Sequence, residues 1–153
     1  MKRLTEAQSE LIDAFLAEHA ARVSTAQLEK DFLISDLFSV FTEPVLYKGH
    51  EAKFVLCGGT AVSKAHRFTE RISEDVDLRV IVPNGLSRSA QKRLLSRVKA
   101  DVVDRLRKQG YDIPDDAVKA GNENRYIAIV LTYETSVSAQ RWSTARFRPS
   151  MKR

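Results

Sequence analysis

Several features that define other protein classes are missing from this chain. Cys57 is the single cysteine among 153 residues, which excludes an internal disulfide framework and is typical of a reducing cytoplasm. No apolar run approaches the roughly 18 residues that a membrane-spanning helix needs. The first residues, MKRLTE, turn acidic before any apolar stretch, unlike a signal peptide. Without internal repeats or low-complexity segments, the sequence predicts a cytoplasmic protein whose residues 1–153 form a single domain.

Positive charge is concentrated in two segments of the chain. The formal net charge is +5, and basic residues crowd Arg88–Lys108 and Arg141–Arg153. A basic surface favours polyanionic partners: nucleic acid, a nucleotide triphosphate or an acidic protein. Such runs are also typical of a solvated helix face, so the charge indicates a class of partner and no activity.

Hydrophobic periodicity predicts a mixed α/β (α+β) domain with a small mixed sheet flanked by helices. Residues 5–21 and 25–41 have helical periodicity, so residues 1–45 form an N-terminal helical part. Residues 53–153 are predicted to form a strand–helix core. Its predicted strands are Phe54–Cys57, Val76–Val82, Ala117–Ala120, Tyr126–Tyr133 and one beginning at Phe147, and its predicted helices are Thr60–His66 and Ser87–Gln109.

Two aspartates alternate with apolar residues where the second predicted strand begins. Asp75 and Asp77 therefore share one face of the strand, and Val76 and Leu78 share the other. Two like charges about 4 Å apart repel by about 4 kcal/mol at an effective dielectric near 20, so the pair needs a cation or a shared proton. Mg²⁺ or Mn²⁺ would suit, because both prefer oxygen ligands. The pattern indicates a metal site, although it is also typical of a solvated strand edge.

A glycine turn precedes the aspartates. Gly58-Gly59-Thr60 joins a predicted strand to a predicted helix. Glycines allow a close backbone approach to a ligand, and the amides at a helix N-terminus face an anion. Lys64 lies one turn further and could neutralise a phosphate. Taken one at a time, the glycines are also typical of a tight turn, and Lys64 is also typical of a surface lysine. Together with the aspartates they supply phosphate-binding groups and metal ligands, the smallest set of groups that phosphoryl or nucleotidyl transfer requires.

Three segments resemble one protein family. Leu56–Lys64 is similar to the glycine motif of the AbiEii-type nucleotidyltransferase toxins, and Arg71–Leu78 is similar to their acidic motif. Glu29–Phe32 resembles the Glu-Lys-Asp-aromatic segment that precedes both motifs. The resemblance implies a polymerase-β-like nucleotidyltransferase fold in a toxin–antitoxin or phage-defence setting, with a cognate antitoxin, an NTP donor, and RNA, tRNA included, as a candidate acceptor.

The resemblance also implies a role for each motif residue. The triphosphate would be held by Gly58, Gly59 and Thr60, with Lys64 as a further phosphate contact. The metal ion would be held by Asp75 and Asp77.

One departure from the family concerns the third carboxylate. Family members carry it after a segment like Phe147–Lys152, whereas this sequence stops at Arg153, so we expect a core that is incomplete at its C-terminus. Glu134, at the end of a strong predicted strand, is a candidate substitute. Two other hypotheses stay open: a catalytically inactive remnant that binds nucleotide or antitoxin, and a basic nucleic-acid-binding module whose Asp-x-Asp is structural.

Overall fold

The computed structural model describes residues 2–18, 24–62, 75–134 and 139–150, with the backbone alone for Thr60 and for 139–150. Its helices are α1 (Glu6–Glu18), α2 (Thr25–Leu37), the three-residue α3 (Gly58–Thr60) and α4 (Arg88–Lys108), with short 3-10 turns at Phe38–Phe41 and Asp115–Ala117. None of the helices in these ranges is long and apolar enough to cross a membrane.

The N-terminal helices begin where the sequence supplies a cap. The Thr5 hydroxyl accepts a hydrogen bond from the Gln8 amide at 3.3 Å, and the Ser24 hydroxyl accepts one from the Gln27 amide at 3.3 Å. In each case the glutamine side chain also accepts a hydrogen bond from the cap residue's own amide. These reciprocal bonds form capping boxes, which satisfy amides that the first turn of a helix leaves unpaired.

Six strands form a mixed sheet in the order β1-β2-β3-β6-β5-β4. The strands are β1 (Val45–Tyr47), β2 (His50–Cys57), β3 (Val76–Ile81), β4 (Val118–Gly121), β5 (Tyr126–Glu134) and β6 (Ala139–Ser150). Neighbouring strands are antiparallel except for β3 and β6, which are parallel. The sheet is thus two antiparallel groups, β1-β2-β3 and β4-β5-β6, joined along one parallel pair.

Short turns set the register within each antiparallel group. Lys48 and Gly49 have φ angles of 48° and 77°, and this two-residue turn joins β1 to β2 as type I′ hairpin turns do. Between β4 and β5 the turn contains three successive residues with positive φ, Asn122, Glu123 and Asn124. This turn confirms the predicted hairpin, and asparagine is among the few residues that adopt such angles readily.

The core lies on one face of the sheet, between β3 and α4. The inward side chains of β3, Val76, Leu78 and Val80, are at most 3% exposed. They belong to one buried cluster with five α4 residues: Leu94, Leu95, Val98, Val102 and Leu106. Since strand side chains alternate between faces, Asp77 lies on the face of the sheet opposite α4.

The predicted elements agree with the structure except at several boundaries. The second predicted helix changes to a 3-10 turn after Leu37, and β2 begins at His50, before the predicted Phe54. The prediction that the last strand begins at Phe147 was wrong, because β6 already begins at Ala139. In its sequence, AQRWSTARFRPS, apolar and basic residues alternate only over Ala145–Pro149. The first half of the strand has no such pattern and is defined by its pairing with β5. The predicted helix Thr60–His66 lies outside the described residues after position 62.

Arg105 of α4 holds the segment before β1 in place through hydrogen bonds. Its guanidinium donates hydrogen bonds to the carbonyl oxygens of Val40 (3.0 Å), Glu43 (2.6 Å) and Pro44 (3.1 Å). It also forms an ion pair with Asp101 at 2.6 Å. These carbonyls lie where the 3-10 turn ends, so Arg105 supplies donors that the local backbone does not.

We expect Arg105→Ala to lower the free energy of unfolding by about 2–3 kcal/mol, because hydrogen bonds to charged groups contribute about 1.5–3 kcal/mol. Urea denaturation would measure the change. Lys108→Ala is the matched control, since Lys108 forms an exposed pair with Asp104, and exposed pairs of this kind contribute little. Equal losses in the two variants would contradict the role of Arg105 in holding this segment.

Candidate functional site

The pairing of β2 with β3 brings the glycine turn to the aspartates. Cys57, the last residue of β2, is the register partner of Asp77. Gly58 follows immediately with a φ of +70°, an angle that glycine adopts without the steric cost that other residues incur. The chain therefore turns away from the sheet directly beside the Asp77 carboxylate.

Gly58 and Asp77 are in such close contact that no side chain fits between them. A Cβ atom built on Gly58 would lie 2.5 Å from Oδ2 of Asp77 and 3.1 Å from its Cβ. Gly49 and Gly85 also have positive φ, yet a Cβ on either would meet nothing within 4 Å. Glycine at position 58 is thus required twice, by the backbone angle and by the carboxylate.

The two aspartates occupy the face that the sequence predicts. Val76 and Leu78 are buried, whereas Asp75 and Asp77 are half-buried, so the predicted alternation is confirmed. Two residues along a strand correspond to about 6.6 Å, which places two carboxylates on one short stretch of surface. In the described ranges no group of three or more His, Cys, Asp or Glu side chains could hold a metal ion.

This donor set fits a magnesium ion. Mg²⁺ is commonly bound by one or two carboxylates, while water and substrate phosphates complete its octahedron. Asp75 and Asp77 supply that number of carboxylates, and the space that a side chain at position 58 would fill lies directly beside Oδ2 of Asp77. The residues present therefore suit a metal ion that is completed by phosphate oxygens.

The strand on the other side of β3 supplies no third carboxylate. Arg146 of β6 is the register partner of Asp77, and Ala145 is that of Val76. No aspartate or glutamate occurs anywhere in Ala139–Ser150. Both register neighbours of Asp77, Cys57 and Arg146, are therefore residues other than carboxylates.

Glu134 is not the substitute that the sequence indicates, and that prediction was wrong. Ala128 of β5 pairs with Arg146, which pairs with Asp77. Glu134 is six residues further along β5, a distance of about 20 Å at 3.3 Å per residue. Its carboxylate forms an ion pair with Arg3 instead, and metal ligands must lie within a few ångströms of one another.

Within the Glu-Lys-Asp-aromatic segment, the structure distinguishes Glu29 from its neighbours. Glu29 is 3% exposed, and it is the buried charged residue of the described chain. Lys30 and Asp31 are half-buried. Glu29, Leu33 and Leu37 are spaced four residues apart on α2 and are all buried. This spacing is the signal in the sequence that could have identified Glu29 as a buried residue.

Two of the predicted phosphate contacts are not fully described. Lys64 lies outside the described residues, and for Thr60 only the backbone is described. Gly58 and Gly59 lie in α3, directly after β2. The structure therefore places Gly58 against Asp77, with Asp75 two residues before Asp77 on the same strand face. The binding roles predicted for all of these residues, and for Gly59, Thr60 and Lys64, stay predictions.

A mixed sheet with a glycine turn beside an Asp-x-Asp strand is a nucleotidyltransferase-like arrangement. A family model described as "Nucleotidyl transferase AbiEii toxin, Type IV TA system" matches residues 45–145, which is more than half of the chain. The chain belongs to this AbiEii nucleotidyltransferase toxin family. The match begins after Glu29–Phe32 and extends through α4 into β6, beyond the two motifs. A search of the curated proteins found no match.

Proposed function

We propose that this chain transfers a nucleoside monophosphate from an NTP to an acceptor hydroxyl, with RNA, tRNA included, as the acceptor class. Asp75 and Asp77 would hold Mg²⁺ or Mn²⁺. The triphosphate would lie against the backbone of Gly58, Gly59 and Thr60, with Lys64 as a further contact. In a toxin–antitoxin setting, a cognate antitoxin would limit this activity.

The contact between Gly58 and Asp77 carries the proposal. A glycine turn or a strand aspartate that occurs alone is commonly structural and indicates no binding site. Here a Cβ atom on Gly58 would lie 2.5 Å from the Asp77 carboxylate. A phosphate held by the turn would therefore lie within reach of a metal ion held by the strand, and nucleotidyl transfer needs that proximity.

Each group of site residues would have a separate role in the transfer reaction. The acceptor oxygen forms a bond to the α-phosphorus, the bond from that phosphorus to the bridging oxygen breaks, pyrophosphate leaves, and the hydroxyl proton passes to solvent. A bound Mg²⁺ would supply Lewis-acid stabilisation of the charge that develops on the phosphate. Asp75 and Asp77 would hold the metal ion in a fixed position on a rigid strand, and the amides of the turn would orient the triphosphate.

Calorimetric titration of each NTP with Mg²⁺ tests the proposal. We expect wild-type protein to bind an NTP only when Mg²⁺ is present, and we expect Asp77→Ala to lose this binding. Binding that is equal in the two proteins, or that needs no metal, would exclude the proposed roles of the aspartates. A positive result would justify assays of transfer to RNA acceptors.

A second candidate function is binding of nucleotide or antitoxin without turnover. The observation that favours it is β6, where Arg146 occupies the register position beside Asp77 and no carboxylate occurs. Metal-dependent NTP binding would then persist, while no labelled nucleotide would be transferred to total tRNA with either Mg²⁺ or Mn²⁺. Transfer with either ion would exclude this candidate.

A further inference from the structure

The face of the sheet that bears Asp77 continues as an exposed surface along β2 and β3. We define the β2–β3 face as Lys53, Val55, Arg79 and Ile81, the outward residues beyond the aspartates. Val55 is 48% exposed and Ile81 is 38% exposed. Lys53 and Arg79 are exposed as well. Exposed aliphatic and basic side chains therefore alternate on a surface that begins at the candidate site.

The register places these residues in rows at regular distances from Asp77. Val55 pairs with Arg79, one row beyond the Cys57–Asp77 pair, and Lys53 pairs with Ile81 in the row after that. Successive rows are about 6.6 Å apart along the strands. Each row thus offers one cation and one aliphatic side chain.

The cations of this face are available to a ligand. The backbone of Arg79 is paired within the sheet, whereas its guanidinium has no ion-pair or hydrogen-bond partner among the side chains that the structure describes. Lys53 pairs with Glu51 at 3.2 Å, with the Lys53 side chain 63% exposed, and exposed pairs of this kind contribute little. In β6, Arg148 is the register partner of Arg79. The sheet register therefore places a further basic residue next to Arg79.

The basic helix α4 is a poorer surface for the acceptor. It covers the opposite face of the sheet, so a strand bound on its outer side would be separated from Asp77 by the whole sheet. Its position therefore makes α4 the less suitable surface, and the β2–β3 face the more suitable one.

We propose that the β2–β3 face binds the single-stranded end of a nucleic-acid acceptor. Arg79 and Lys53 would contact successive phosphates, and Val55 and Ile81 would contact sugars and base faces. A duplex hides its base faces inside the helix, so a surface with aliphatic side chains between cations suits an unpaired strand. This inference rests on the proposed nucleotidyl transfer, because it assigns the surface along which an acceptor end would reach Asp77.

Fluorescence anisotropy with a labelled single-stranded RNA of about 12 nucleotides tests this assignment, without nucleotide and with EDTA present. The same RNA annealed to its complement provides the duplex arm. The variants are Arg79→Gln and Val55→Thr, which is nearly isosteric. Arg93→Gln is the matched control, because Arg93 is exposed on α4 and loses the same charge.

We expect Arg79→Gln to weaken single-strand binding about tenfold and to reduce the salt slope of log K by about 0.7, the value for one phosphate contact in a single strand. Val55→Thr should weaken binding less, with an unchanged salt slope. Arg93→Gln should bind like wild type, and the duplex should bind more weakly than the single strand.

Equal binding by Arg79→Gln and Arg93→Gln, tighter binding of the duplex, or no RNA binding by wild type would each overturn the assignment. Concentration-dependent self-association that Val55→Thr abolishes, without a change in RNA binding, would assign the face to a second copy of the chain and would also overturn it. Metal-dependent NTP binding by Arg79→Gln is measured in parallel. If NTP binding is intact while the RNA-binding results contradict the expectation, only the assignment of the acceptor surface is wrong. If the wild-type protein also binds no NTP, the proposed nucleotidyl transfer is wrong as well.

Discussion

Gly58→Ala should remove metal-dependent NTP binding and destabilise the protein by about 3 kcal/mol. The left-handed backbone angle costs a residue with a Cβ about 1–2 kcal/mol. The remaining loss arises because the new methyl group would lie 2.5 Å from the Asp77 carboxylate, so the strand, the turn or the side chain must move. Each of these movements separates the turn from the carboxylate. Urea denaturation and calorimetric NTP titration measure the two effects.

Gly85→Ala separates the backbone cost from the steric cost. Gly85 has a φ of +79°, and a Cβ there would meet nothing within 4 Å. This variant should lose about 1–2 kcal/mol of stability and keep wild-type NTP binding. If Gly58→Ala behaves like Gly85→Ala in both measurements, the close contact with Asp77 has no functional role.

Asp77→Asn should raise the stability of the metal-free protein while it abolishes stabilisation by Mg²⁺. Without a metal, the carboxylates of Asp75 and Asp77 repel each other across about 6.6 Å of strand. Removing one of these charges should therefore contribute about 1–2 kcal/mol at the high effective dielectric of a half-buried site. The wild-type protein should gain about 2.7 kcal/mol when Mg²⁺ is present at about 100 times its Kd, and the variant should gain none.

Thermal unfolding with EDTA and with Mg²⁺ measures both parts of this expectation. Asp104→Asn is a control of the same chemistry, because Asp104 forms an exposed ion pair with Lys108 on α4. It should lose a little stability and keep the response to Mg²⁺. A metal-free Asp77→Asn protein less stable than wild type would indicate that Asp77 is a structural hydrogen-bond acceptor, and the metal assignment would then be untenable.

Sequence periodicity predicts the elements whose burial pattern is strong. From Val76 to Val80 in β3, the alternation of apolar with charged residues corresponds directly to buried and outward positions. In α4 the buried residues recur at three- and four-residue intervals, as expected for a helix packed on one side. In β6 such alternation is confined to Ala145–Pro149. The first half of the strand is defined by its pairing with β5, and a local sequence pattern does not reveal that partner.

The candidate site is only partly predictable for the same reason. The shared face of Asp75 and Asp77 follows from a period of two and needs no tertiary information. The contact between Gly58 and Asp77 depends on the register of β2 against β3, which the motifs do not specify. The distance of Glu134 from the aspartates likewise follows from strand order, and proximity to the end of a strong strand could not reveal it.

The parallel pair of β3 and β6 has a consequence for folding kinetics. Each antiparallel group forms from segments that are close in sequence, whereas the pairing of Val76 with Ala145 closes a long loop whose entropy must be overcome first. We expect the two groups to acquire structure early and to dock late, with β3 as an open edge until then. Amide hydrogen exchange during refolding should therefore protect β2 and β5 before the amides between β3 and β6, so the strand that carries the aspartates would be completed last.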